Sequence, residues 1–228
     1  MKLSNFTQRI LTGAAFVIVL LGSILLGEGT FVALFAAILV FSLVEFQGLL
    51  KNTYKAQSNI LLFTLGGLLF FLGAYLSLSS KYSTILAFIP FLLWSAFQFI
   101  FELYSKSKNS IQTLAFTSLG MLYIAVPLGL VNYLAFNGGG SSYNYAFLLA
   151  LFVFIWVNDS FAYLVGSLLG KHRLFERISP KKSWEGFFGG VAFTIIAALI
   201  LSRFNQDLSM IGWVGFACVV VVAGTFGD

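Results

Sequence analysis

Ionisable side chains are scarce in this chain: Asp, Glu, Lys and Arg make up only 9% of its 228 residues. Soluble domains carry about a quarter, so a water-facing globular surface of ordinary kind is excluded. The single cysteine, Cys218, rules out an internal disulfide and, in a valine-rich segment, reads as a small apolar filler. The single histidine, His172, has no partner nearby in sequence, which favours a solvated loop residue over a catalytic one. Three prolines and no Pro-, Ser- or charge-rich run leave nothing that resembles an interdomain linker, so the reading is one domain, 1–228.

What is abundant is apolar. Hydrophobic residues reach 59% and the mean hydropathy is +0.95, more than a soluble core of this size can hide. The fold class expected is an all-α polytopic membrane protein, since helices leave no backbone group unpaired in lipid. Eight segments are long enough to approach the roughly 20 residues that cross a bilayer. They run about Ile10–Gly27, Thr30–Leu50, Ile60–Leu78, Thr84–Tyr104, Ile111–Phe136, Tyr145–Leu169, Gly186–Ser202 and Ile211–Gly227. The first is followed by no small-residue cleavage site and reads as an uncleaved helix.

Charge orients the bundle. With the N-terminus inside, the inside loops hold Lys2, Arg9, Lys51, Lys55, Lys106, Lys108, Lys171, Arg173, Arg177, Lys181 and Lys182, and the outside loops only Lys81 and Arg203. Eleven cations against two is a strong positive-inside signal, and it places the N-terminus and the 171–182 loop in the cytoplasm. The net charge of +5 is explained by topology and points to no nucleic acid.

Attention therefore falls on Trp156–Gly190, where two apolar segments meet across the one strongly basic loop. Asp159 lies deep in the first segment, and intramembrane carboxylates are functional by default. Gly166 and Gly170 share its helical face at about 100° per residue, so the carboxylate is expected to point into the bundle; a structural hydrogen bond is the competing reading. In Ser179-Pro180-Lys181-Lys182-Ser183-Trp184-Glu185-Gly186, Ser179 and Pro180 suit a helix N-cap and first position. Lys181 and Glu185 would then share a face, and a helix start flanked by lysines suits phosphate. Cations that merely hold topology and touch anionic lipid explain the loop equally well. Glu45 divides evenly between structure and function, and Glu102 reads as interfacial. Asp228 could join Asp159 and Glu185 as an oxygen ligand for Mg²⁺.

The ordered motifs Asn158-Asp159-Ser160-Phe161-Ala162-Tyr163 to Gly166, Gly170-Lys171-His172, Ser179 to Gly186, and Gly189-Gly190 resemble the phosphatidate cytidylyltransferase (CDP-diacylglycerol synthase) family. Gly227-Asp228 resembles the start of that family's C-terminal signature. Residues 1–140 match only as helical segments, with Glu45 and Tyr123–Pro127 as echoes; 141–228 resembles the catalytic portion. The family signature continues through a Lys-Arg pair, a Lys-Asp pair, a His-Gly-Gly turn and an Asp-Arg-x-Asp end, so the expectation is of an incomplete sequence with part of its site beyond Asp228, and of a chain that is inactive alone.

The resemblance implies transfer of CMP from CTP to phosphatidic acid in a bacterial inner membrane. It assigns Asp159 and Asp228 to Mg²⁺, Asp159, Lys181 and Lys182 to catalysis, and Ser179, Ser183, Lys171, Arg173 and Glu185 to substrate. It allows a homodimer. Two rivals stand beside it: a CTP-using polyprenol or phytol kinase, and a transporter or scaffold built on the buried Asp.

Overall fold

The computed structural model describes residues 5–54, 59–79, 82–105, 109–136, 142–177 and 179–227. Eight helical spans of 18 to 27 residues are long and apolar enough to cross a membrane, which makes this an integral membrane protein. The chain falls into two compact units, Met1–Tyr145 and Ala146–Asp228.

The first unit holds five spans: α1 (Asn5–Leu26), α2 (Glu28–Tyr54), α3 (Ile60–Leu78), α4 (Thr84–Tyr104), and a fifth, Ser110–Ala135, made of α5 (Ser110–Gly120), one π-helical turn (Met121–Ala125) and α6 (Val126–Ala135). Gly27 alone joins α1 to α2 at φ 129, a backbone state that a side chain would strain. The π turn has a local cause. Val126 N–H bonds Met121 O, five residues back, immediately before Pro127, which has no N–H to give. The third and fourth spans coincide with the segments expected from hydropathy; the first begins earlier, at Asn5.

Close packing of α3 on α4 depends on Gly66. The Trp94 indole fills the space that a Cβ there would need, while its Nε1–H donates to Leu62 O at 2.9 Å. Apolar side chains such as Ile18, Phe41 and Ile85 stay exposed on the protein. Lipid is as apolar as leucine, so these need no protein cover.

The second unit holds α7 (Ala146–Leu169), a two-stranded antiparallel hairpin of β1 (Arg173–Phe175) and β2 (Ser179–Ser183), then α8 (Trp184–Phe204) and α9 (Met210–Gly227). Phe147 stacks on Trp213 with centroids 5.4 Å apart, and Phe154 meets Trp213 and Phe216 edge-on, tying α9 alongside α7. The hairpin is the only β structure among the described residues.

Candidate functional site

The site begins at the seam between α7 and α8. On α7, Asn158, Ala162, Gly166 and Gly170 follow one another at intervals of four; on α8, Gly186, Gly190, Thr194 and Ala198 do the same and are buried. Ridges of small residues at this spacing let two helices approach backbone to backbone. A Cβ on Gly186 would lie 2.6 Å from Ala162 O and 3.1 Å from Gly166 Cα, and one on Gly190 would lie 2.4 Å from Asn158 Oδ1. Phe161 and Phe193 stack beside the seam with centroids 3.7 Å apart.

This seam corrects two expectations. Asn158, not Asp159, takes the buried place, at 6% exposure, and Asp159 is exposed on α7. An i, i+4 ridge drifts across the helix face with each turn. The face that Gly166 and Gly170 present to α8 near the hairpin has therefore moved to Asn158 two turns deeper. Asn158 Nδ2 donates to Asp159 Oδ1 at 3.3 Å, so the pair remains linked.

The second correction concerns the start of α8. Ser179 and Pro180 do not open a helix; they belong to β2, and the helix starts at Trp184. Ser183 is the N-cap, its Oγ accepting Gly186 N–H at 3.1 Å. Lys181 and Glu185 accordingly lie on different elements and share no helical face. In the hairpin register Arg173 faces Ser183 and Phe175 faces Ser179, and Trp184 N–H bonds His172 O at 3.0 Å. Ser183 is buried at 4% exposure, with its oxygen engaged as the cap.

His172 is an exposed loop residue, as expected, and it has a partner thirteen residues away in sequence. Its Nδ1 lies 2.7 Å from Glu185 Oε1, and its backbone N–H reaches both Glu185 oxygens at 3.3 Å. Glu185 thus clips the start of the hairpin to the first turn of α8. Beside this clip an open pocket of about 570 Å³ is lined by Lys171, His172, Arg173, Glu176 and Trp184. Lys181 is exposed on β2 and Ser179 is partly buried. Lys182 turns the other way and donates to Thr225 O at 3.2 Å.

The unit therefore gathers Lys171, His172, Arg173, Ser183 and Glu185 at the hairpin, with Asp159 elsewhere. Asp159 lies ten residues before the end of α7, about 15 Å along its axis. Asp228 lies outside the described residues. Among the described residues no three His, Cys, Asp or Glu side chains converge as a metal cage. Exposed Asp159 nonetheless offers the hard oxygen that suits Mg²⁺, which is ordinarily held by one or two carboxylates together with substrate phosphates. Glu185 is engaged by His172.

Sequence reasoning missed Glu102, which is buried at 4% exposure, with Ser105 Oγ donating to it at 3.4 Å. The spacing of four between Gln98 and Glu102 on an apolar helix was the available signal. Glu45 is exposed.

The chain is similar to phosphatidate cytidylyltransferase of Staphylococcus epidermidis, 34% identical over 124 residues that cover 54% of this chain and 45% of the relative. It is 32% identical over 126 residues to the protein of that name from Staphylococcus aureus, and 31% identical over 124 residues to that from Staphylococcus haemolyticus, again covering 54% of this chain and 46% and 45% of those relatives. The matched stretch is thus about half the length of these curated relatives. The sequence profile of the cytidylyltransferase family matches residues 7–228, nearly the whole chain, and the chain belongs to the cytidylyltransferase family.

Proposed function

We propose that the protein of which this chain is part transfers CMP from CTP to phosphatidic acid, yielding CDP-diacylglycerol and pyrophosphate. A phosphate oxygen of the lipid attacks the α-phosphorus of CTP. The bond from that phosphorus to the α,β-bridging oxygen breaks, and its electron pair leaves with pyrophosphate. A phosphate monoester is already ionised near neutral pH, so no side chain need act as base.

The difficulty is that two anions must meet, and the residues suit that task. Lys171 and Arg173 line an open pocket, and Lys181 stands exposed on the adjoining strand. Together they would hold the nucleotide phosphates, with the Ser179 hydroxyl as a further donor. Lys182, which reaches toward α9, would meet the lipid phosphate. Exposed Trp184 sits where an aromatic ring marks the membrane–water interface, the level at which a lipid headgroup arrives. Glu185, through His172, would hold the pocket wall in place. Mg²⁺ held by Asp159 with the substrate phosphates, and by Asp228, would supply charge neutralisation at the reacting phosphates and the leaving pyrophosphate.

The positive-inside distribution supports a cytoplasmic face for the hairpin and for the N-terminus, where CTP is available, and the bacterial relatives support the inner membrane. The observation that carries the reading is the coincidence of a family match over 7–228 with a cationic hairpin at the end of the α7–α8 seam, on the helix that also carries Asp159.

The test is transfer of label from CTP into extractable lipid in the presence of phosphatidic acid and Mg²⁺, using the full reading frame. Lys181→Ala with Lys182→Ala should lose transfer severely. Near-full turnover in that double variant contradicts the assignment.

A further inference from the structure

A second polar centre lies in the first unit. Trp94, Gln98 and Glu102 recur at intervals of four on α4 and are all buried; Thr113, Thr117 and Gly120 do the same on α5, allowing for one interval of three. The contact of Ser105 Oγ with Ser110 Oγ at 2.9 Å sets the register of this antiparallel pair. Counting outward from it, Glu102 comes level with Thr113 and Gln98 with Thr117.

The helices around this point form a ring: α3 packs on α2 and α4, and α5 packs on α4 and α2. Tyr54 of α2 meets Phe116 of α5 with centroids 5.1 Å apart, and Gln47 of α2 adds a third buried amide or hydroxyl position nearby. Gln98 Oε1 and Thr117 Oγ1 are wholly buried with no hydrogen-bond partner, although each residue is only 5% exposed. The carboxylate of Glu102, one turn from Gln98, is 4% exposed. Buried oxygens left unpaired are costly, and a buried carboxylate more so, unless positive charge or donors reach them.

We propose that this ring binds one monovalent alkali cation, held by Glu102, Gln98 Oε1 and Thr117 Oγ1. The donor set is all oxygen, which suits hard cations and offers no nitrogen or sulfur to a transition metal. It carries one formal negative charge, which a monovalent ion balances and a divalent ion would overshoot. The ion would tie α4 to α5 about one turn before the π turn on the same span, and so fix the first unit. The proposal is independent of the transfer reaction and of Asp159.

The test is equilibrium retention of radioactive rubidium, a potassium surrogate, by the purified protein in detergent without nucleotide or lipid substrate. Potassium and sodium chloride serve as competitors, and choline chloride holds the ionic strength. Wild type should retain a saturable ion that potassium displaces and choline does not. Glu102→Gln and the near-isosteric Thr117→Val should each weaken retention by about tenfold or more, while Asp159→Asn leaves it unchanged. Where Glu102→Gln does not fold, Thr117→Val decides. Retention that choline abolishes, retention that survives Thr117→Val, or retention that is lost in Asp159→Asn instead would each overturn the proposal.

Discussion

Replacing Gly186 by alanine tests the α7–α8 seam most sharply. The new Cβ would stand 2.6 Å from Ala162 O and 3.1 Å from Gly166 Cα, both backbone atoms that move only if the helices part. Inserting a methyl group into a packed contact costs about 1–3 kcal/mol. Alanine recovers about 0.5–1 kcal/mol through its better helix propensity. The net expectation is a loss centred near about 1 kcal/mol and reaching about 2.5 kcal/mol, or up to about 10 °C in Tm at about 2–4 °C per kcal/mol for a chain of this length. Gly190→Ala should cost less, because its nearest obstacle at 2.4 Å is the side-chain oxygen of Asn158, which can rotate. Gly215→Ala is the control, with nothing within 4 Å of its Cβ position, and should be neutral or slightly stabilising. The assay is thermal unfolding in one detergent, followed by intrinsic tryptophan fluorescence. If Gly186→Ala melts with Gly215→Ala, the helices do not meet as described and the site built on their seam is wrong.

Three further outcomes follow from the same geometry. Asp159→Asn should abolish transfer while leaving stability within about 0.5 kcal/mol of wild type, because the residue is exposed and asparagine keeps an oxygen to accept from Asn158 Nδ2; a large drop in Tm would assign it a structural role instead. Lys181→Met should reduce transfer with little effect on stability, whereas Lys182→Met should reduce both, since it also loses the bond to Thr225 O; equal stability effects would contradict the separate roles. His172→Ala and Glu185→Gln should lower transfer by similar factors, and the double variant no further, because each removes the same clip. Additive losses would show that the two side chains act apart.

The eight spans were legible because hydropathy over 18 or more residues leaves little choice in lipid, and α3 and α4 coincide with their expected bounds. The hairpin was not legible. Its strands are three and five residues long, too short for a period of two to show, and Ser179-Pro180 carries a cap signature that tertiary pairing overrode. The better signal was Ser183, which immediately precedes the apolar run from Trp184. The orientation of Asp159 was misread because a fixed 100° step per residue assumes that one face stays against the neighbour along the whole helix. Between crossing helices the contact moves around the face, and it passes to Asn158. The His172–Glu185 pair joins residues thirteen apart across a hairpin, which no helical spacing rule would find. Glu102 was misread for a simpler reason: nearness to a helix end suggests water, but α5 folds back over it.

The central claim is that this family member, in its full reading frame, moves CMP onto a lipid phosphate. The direct measurement follows label from CTP into extractable lipid, with phosphatidic acid supplied or withheld, for wild type and Asp159→Asn, followed by identification of the product. The account predicts labelled CDP-diacylglycerol that requires phosphatidic acid and disappears in Asp159→Asn. Label transferred to a polyprenol or other lipid alcohol, or no transfer beside an active control while Asp159→Asn alters an ion flux, would contradict it.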